Sequence, residues 1–230
     1  MIWLVTGWPQ ALQLALTHLA LSLPAIILSV LIALPLGVLA NRRPQFGGAL
    51  LSSAGLMYAI PALPLLIIVP ALLGIPLRSP VTMVVVLTVY GFALLVRSVA
   101  DAFGAVDQTV RRAAVAIGHS PRAVFWQVEL PLAVPVILSG VRVVVVSTIG
   151  LVTIGALVGI SSLGTLFTDG FQRGIVEEVL TGMVLTVVLA MLLDTVVVIA
   201  GRILTPWTRA SHPGREKADR HLTASAEVHR

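Results

Sequence analysis

The chain has no cysteine, which excludes disulfides, thiolate metal sites and cysteine nucleophiles. Charge is scarce. Only 11% of the 230 residues are Asp, Glu, Lys or Arg, against about 25% in a soluble domain. Such a chain cannot cover its surface with polar groups, so a lipid bilayer is its expected solvent. Aromatic residues make up 5%, and Tyr58 and Tyr90 are the only tyrosines, too few rings for a tight quaternary-ammonium cage. No run of basic residues is interleaved with aromatics, which argues against a nucleic-acid partner. No G-x-x-x-x-G-K-[ST] phosphate loop occurs, so the chain is not expected to hydrolyse ATP. His18, His119, His212, His221 and His229 are scattered without metal-site spacing. Neither a catalytic residue, nor a metal, nor a bound cofactor is expected.

What the chain does have is apolar length. It is 57% hydrophobic, with a mean hydropathy of +1.02. Five segments reach the roughly 20 residues that a membrane helix needs: 17–40, 50–73, 80–100, 134–160 and 178–203. None alternates with period two, which argues against a β-barrel. The expected fold is therefore an all-α integral membrane protein with five transmembrane helices. Residues 1–16 read as an interfacial segment anchored by Trp3 and Trp8. They do not read as a signal peptide, because no Lys or Arg precedes the first apolar run and no small-residue cleavage site follows it. With the N-terminus outside, thirteen of the fifteen Lys and Arg fall inside, among them Arg42, Arg43, Arg97, Arg111, Arg112, Arg122 and Arg142. Arg78 and Arg173 remain outside. The positive-inside rule thus predicts N-out and C-in. Residues 17–207 form the membrane domain, and 208–230 read as a disordered cytoplasmic tail.

One polar insert interrupts the pattern at about 105–131, around "RRAAVAIGHSPRAVFWQVELP". Asp107 is placed to cap a helix rich in Ala113, Ala114 and Ala116. Gly118 can end it, and Ser120–Pro121 look like a new cap followed by proline in the first turn. A second short helix, "RAVFWQVEL", follows, with Val124, Phe125 and Val128 on one side. Pro131 and Pro135 then open the next span. The expected object is a helix–turn–helix knuckle at the cytoplasmic face. It either docks into a groove on a soluble partner or only positions its flanking spans.

The knuckle resembles the "EAA" loop of permease subunits of ABC importers, whose pattern is E-A-A, three residues, G, nine residues, I-x-L-P. Ala113, Ala114, Gly118, Leu130 and Pro131 stand at matching positions, Val128 replaces the isoleucine, and Arg112 replaces the glutamate. The resemblance implies that the loop seats in a cleft of a separate ATPase that carries ATP and Mg. Ala113, Ala114 and Gly118 would form the docking surface, with Arg112, Leu130 and Pro131 completing the coupling set. It further implies a second permease, identical or paralogous, an extracytoplasmic solute-binding protein, and residence in the cytoplasmic membrane. "AIPALPLLIIVPALLGIP" (59–76), "ELPLAVPVILSGVR" (129–142) and "TIGALVGISSLG" (153–164) look like the osmoprotectant branch, which imports glycine betaine, choline and carnitine. There Ser161 and Ser162 replace two glycines of the usual "GAGGLG". A permease for methionine, phosphonate or an oxyanion is the nearest alternative, and an ion-coupled secondary transporter or a membrane-embedded enzyme the more distant ones.

Several residues remain open in role. Gly155 and Gly159 form a G-x-x-x-G pair suited to close helix packing. Pro61, Pro64 and Pro70 each remove a backbone hydrogen bond from the second span, so they either line a pathway or merely shape the bundle. Asp194 is the deepest acid and reads as a bundle contact or a pathway residue. Arg97 and Asp101 are spaced as i, i+4 partners. Tyr90, Ser161 and Ser162 complete the pathway candidates.

Overall fold

The computed structural model describes residues 7–207, so the anchor assigned to Trp3 and the tail assigned to 208–230 lie outside the described residues. All regular structure among the described residues is helical. Helix α1 spans Trp8–Arg42, α2 Pro44–Ala59, α3 Ala62–Leu73, α4 Pro80–Gly104 and α5 Gln108–Ala116. Helix α6, Pro121–Val124, passes through a π turn, Phe125–Glu129, into α7, Leu130–Val152, and a 3-10 segment, Thr153–Val158. Helix α8 spans Gly164–Arg173 and α9 Val176–Leu204.

Four helical stretches are long and apolar enough to cross a membrane: Trp8–Arg42, Pro80–Gly104, Pro121–Val158 and Val176–Leu204. The expected second span is not one helix. It is the pair α2 and α3, bent by 111°. The break falls at Pro61, which restrains the residue before it to extended backbone, and Ile60 is extended at φ −72°, ψ 128°. Pro64 and Pro70 lie within α3 and do not break it. At 1.5 Å per residue, the 12 residues of α3 reach only about 18 Å, well short of a bilayer core. The first span starts at Trp8 rather than at residue 17, with Pro9 in its first turn. The fourth is longer than expected at its start. What reads as a second knuckle helix is its opening turns: α6 runs through the π turn into α7 without a break, and Pro131 is accommodated just past that turn.

Side-chain register fixes the helix directions. Ser29 of α1 donates to the Thr88 carbonyl, Gly37 abuts Val99, and Asn41 donates to the Ala100 carbonyl. The numbers rise together, so α1 and α4 run parallel. Met83 lies against Gly155, Gly91 against Val144, and Ser98 against Gly140. Helix α7 is therefore antiparallel to α4. Arg142 meets Asp194 and Leu138 meets Gly201, which makes α9 antiparallel to α7. The ends of α1, α4 and α9 thus share one end of the bundle with the knuckle, and the segment 43–79 carries the chain back to the other.

Helix α4 is the hub. Leu95, Val96 and Val99 are fully buried with Ala33, Ala133 and Val144 around them. Close approach is set by small residues, since lipid offers no hydrophobic drive between helices. A Cβ on Gly91 would lie 2.3 Å from Ser29 Oγ.

Candidate functional site

The knuckle is built by local capping. Asp107 accepts the Thr109 N–H at 2.8 Å and the Thr109 hydroxyl. These bonds, the hydroxyl's first, hold its carboxyl below the ordinary aspartate range. Gly118 turns the corner at φ +93°, a left-handed backbone that side chains resist. Its N–H reaches the Val115 carbonyl and that of His119 the Ala114 carbonyl, closing the end of α5. Ser120 Oγ accepts the Ala123 N–H at 3.3 Å and starts α6.

A cluster that sequence reasoning missed ties this corner to the bundle. Glu129 Oε2 lies 3.4 Å from Arg42 Nη2 at the end of α1, and Glu129 Oε1 lies 3.1 Å from Arg111 Nε on α5. The second contact is an ion pair rather than an aligned hydrogen bond, since the Arg111 Nε–H finds no acceptor in line. Arg111 Nη2 donates to the Phe103 carbonyl at 2.6 Å, at the end of α4. Phe103 stacks on Phe125 at 5.7 Å, and the Arg42 guanidinium sits 4.9 Å from the Phe125 ring centre. One carboxylate and two rings therefore join α1, α4, α5 and the π turn. The only signal in the sequence was an acid among arginines at 129, with nothing to say which arginines it meets.

The coupling candidates separate. Ala113 and Gly118 are exposed, and so is Arg112, whose Nη2 reaches Gln108 Oε1 at 3.4 Å. Leu130 and Pro131 are half-buried at the start of α7. Ala114 is buried, so it cannot serve as exposed docking surface in this chain, contrary to expectation. The exposed apolar side chains beside it are those of Val115 and Ile117, 59% and 76% exposed.

The pathway candidates separate as well. Pro61 and Tyr90 line one cavity of about 530 Å³ with Tyr58, Ser147, Gly150 and Ile154. The Tyr90 hydroxyl donates to the Ile60 carbonyl, which the break leaves without a helical partner, and its ring meets Tyr58 edge-on at 5.9 Å. Asp194 lines a second cavity of about 410 Å³ with Arg142, Ser139, Val143, Val146 and Ser147. The two cavities share Ser147. Arg142, assigned above to the cytoplasmic side, instead makes a two-pronged pair with Asp194 from within α7, at 2.7 and 2.8 Å. Pro64 lines neither cavity. Nor do the serines. Ser161 is exposed, while buried Ser162 donates to the Val152 carbonyl at 3.2 Å and accepts the Gly164 N–H at 3.1 Å, closing the turn before α8.

Gly155 and Gly159 do not share an α-helical face, because Gly155 lies in the 3-10 segment and Gly159 ends it at φ +84°. Gly155 packs on Met83 within the chain, and Gly159 lies beside Arg78. Arg97 and Asp101 make no ion pair among the described residues. His18, unassigned above, is buried on α1 with Nε2 3.0 Å from the Ile149 carbonyl oxygen.

Comparison with known proteins places these features in context. A family described as binding-protein-dependent transport system inner membrane component matches residues 33–210. The choline transport system permease protein OpuBB of Bacillus subtilis (strain 168) is 31% identical over 203 residues, covering 88% of this chain and 92% of the relative. The osmoprotectant import permease protein OsmW of Salmonella typhimurium (strain LT2) is 31% identical over 200 residues, covering 84% and 91%. Among solved structures, an inward-facing form of the MetNI methionine ABC transporter aligns with a TM-score of 0.73 over 84% of this chain and 95% of that one, at 23% identity.

Proposed function

We infer that this chain, which belongs to the binding-protein-dependent transport inner membrane component family and is thus a non-catalytic permease subunit of an ABC importer in the inner membrane, carries a small compatible solute such as glycine betaine, choline or carnitine. The observation that supports this cargo is the near full-length likeness to choline and osmoprotectant permeases. The likeness to the methionine transporter, at 23% identity, speaks for the fold alone.

In this reading residues 17–207, with the helix extended back to Trp8, form the transmembrane domain. The bent pair α2–α3 counts as a crossing, because α1 and α4 run parallel and the chain between them must return. Five crossings put the N-terminus outside and the C-terminus inside. The charge asymmetry supports this, less Arg142, which is spent on Asp194. The coupling loop of about 105–131 presents Ala113, Val115, Ile117 and Gly118 to the ATPase, which holds ATP and Mg. The Glu129 cluster passes its movement to α1 and α4. A second permease copy or paralogue completes the pathway, and the binding protein delivers solute from outside. Alternating access then consists of rocking these spans between two orientations, with force supplied by the ATPase.

The test of cargo is uptake of radiolabelled betaine, choline and carnitine by cells with the full set of subunits, with and without this chain. Uptake of at least one should depend on it. Dependence of methionine, phosphonate or an oxyanion instead would move the chain to another branch of the family. Orientation is read separately in the cysteine-free background. Ser79→Cys should label from outside intact cells and Ser211→Cys only after permeabilisation.

A further inference from the structure

Charges placed within membrane spans are costly, and where they occur they face a partner or a water-filled cavity. Arg142 and Asp194 sit well inside α7 and α9 and are paired at 2.7 Å. A pair that served only to clamp two helices would be expected to be enclosed, as Ser29 against Thr88 is. This one is not. Its side chains keep 48% and 23% of their surface open, over a cavity floored by Ser139 and Ser147. Residues 139, 142, 143, 146, 147 and 150 recur at helical spacing and form one stripe along α7, which Ile154 of the 3-10 segment continues. At Gly150 on that stripe, a Cβ would meet nothing within 4 Å. The stripe runs from the ion pair, through the shared Ser147, to the Tyr58–Tyr90 cavity.

We propose that this stripe is a water-lined wall of the translocation pathway, and that Arg142 and Asp194 exchange their mutual pair for the carboxylate and the cationic group of a zwitterionic solute. This rests on the compatible-solute reading. The exchange is balanced in charge. A solute carboxylate takes the guanidinium fork that Asp194 holds. The freed Asp194 then faces the solute's cationic group, and no group is left unpaired. A cation without a carboxylate can approach Asp194 only by leaving Arg142 without a counter-charge, so zwitterions gain more from this wall than simple cations. The rings of Tyr58 and Tyr90 offer a further weak attraction for a quaternary ammonium.

The experiment uses the complete transporter in proteoliposomes, with ATPase, binding protein and both permease subunits. Single cysteines at Ser139, Ser147, Gly150 and, as a comparison on the exposed side of α1, Ile27 are treated with a charged methanethiosulfonate. The three α7 positions should react and Ile27 should not. Equal inertness at all four overturns the wall. The double variant Arg142→Gln with Asp194→Asn keeps a hydrogen-bonded pair of similar shape without charge, and co-purification with the ATPase confirms its assembly. Uptake of glycine betaine should fall about tenfold further than uptake of choline, the scale of one charged hydrogen bond. Equal loss of both solutes, or of neither, overturns the exchange and leaves a clamp. If the wild-type transporter takes up neither solute, the cargo reading fails and the zwitterion assignment with it, while the labelling still decides the wall. If it takes up betaine and the labelling fails, the wall and the exchange on it are wrong while the cargo reading stands.

Discussion

At the Gly118 corner and at the Ile60–Pro61 bend the chain interrupts its helices, and it secures the two places in opposite ways. The corner is capped on both sides and bound by Glu129, Arg111, Arg42 and the Phe103–Phe125 stack to three other elements. The bend of 111° has one side-chain hydrogen bond, from the Tyr90 hydroxyl to the Ile60 carbonyl, with the Tyr58–Tyr90 ring contact and apolar packing around Leu66, beside an open cavity of about 530 Å³. A joint held from several directions transmits displacement. A joint without ion pairs, held by apolar contacts and one side-chain hydrogen bond beside empty space, yields to it more readily. The difference suits a subunit pushed at its cytoplasmic end that must change shape farther along.

The sharpest way to break this contrast is Glu129→Ala. It removes the carboxylate that two arginines share, leaving Arg111 on the Phe103 carbonyl and Arg42 over the Phe125 ring, and should lower stability by about 2 kcal/mol, chiefly through the more enclosed Arg111. Thermal unfolding and the stimulation of ATP hydrolysis by loaded binding protein measure it, and stimulation should be nearly abolished. Gly118→Val comes next. Space is free around the position, so the cost is backbone strain alone, about 1–2 kcal/mol. Membrane insertion should persist while ATPase docking weakens. Wild-type docking and transport together would mean that the corner is not the coupling element. Tyr90→Phe removes one hydrogen bond and should cost about 1 kcal/mol, seen as a small fall in melting temperature. A loss as large as that of Glu129→Ala would show the bend to be as firmly held as the corner. Arg112→Glu should change least. The side chain is exposed and touches only Gln108, so stability should stay within about 0.5 kcal/mol, with any effect confined to ATPase affinity.

The spans were legible because lipid imposes a length on every crossing helix, and that length shows directly as an apolar run. The segments read at 80–100 and 178–203 lie inside Pro80–Gly104 and Val176–Leu204. The knuckle's helix ends were legible because caps and corners are local chemistry: Asp107, Gly118 and Ser120 do what their types suggest. What escaped was tertiary. Glu129 and Arg42 are 87 residues apart, and Arg142 and Asp194 are 52 apart. No local pattern joins them. Arg142 also carried a signal that went unused, since it lay inside an expected span just as Asp194 did, and one charge within a span asks for another. Among three prolines in one apolar run, only Pro61 breaks the helix, and composition alone does not say which. Ser161 and Ser162 stood out as departures from a glycine-rich pattern, yet Ser162 holds a turn.

The continuity of the stretch from Pro121 to Val158 has a mechanical consequence. Its 38 residues extend about 57 Å at 1.5 Å per residue, with helical backbone throughout. Near its midpoint Gly140 packs so closely on α4 that a Cβ there would come within 2.8 Å of Ser98 Cβ. Moving as one body about that contact, it is a lever with equal arms. Tilting it by about 5° about that fulcrum displaces each tip by about 2.5 Å, in opposite directions. In the proposed alternating access, a push on the knuckle tip would arrive at the far tip with its sign reversed, so that narrowing one mouth of the passage widens the other without a second signal.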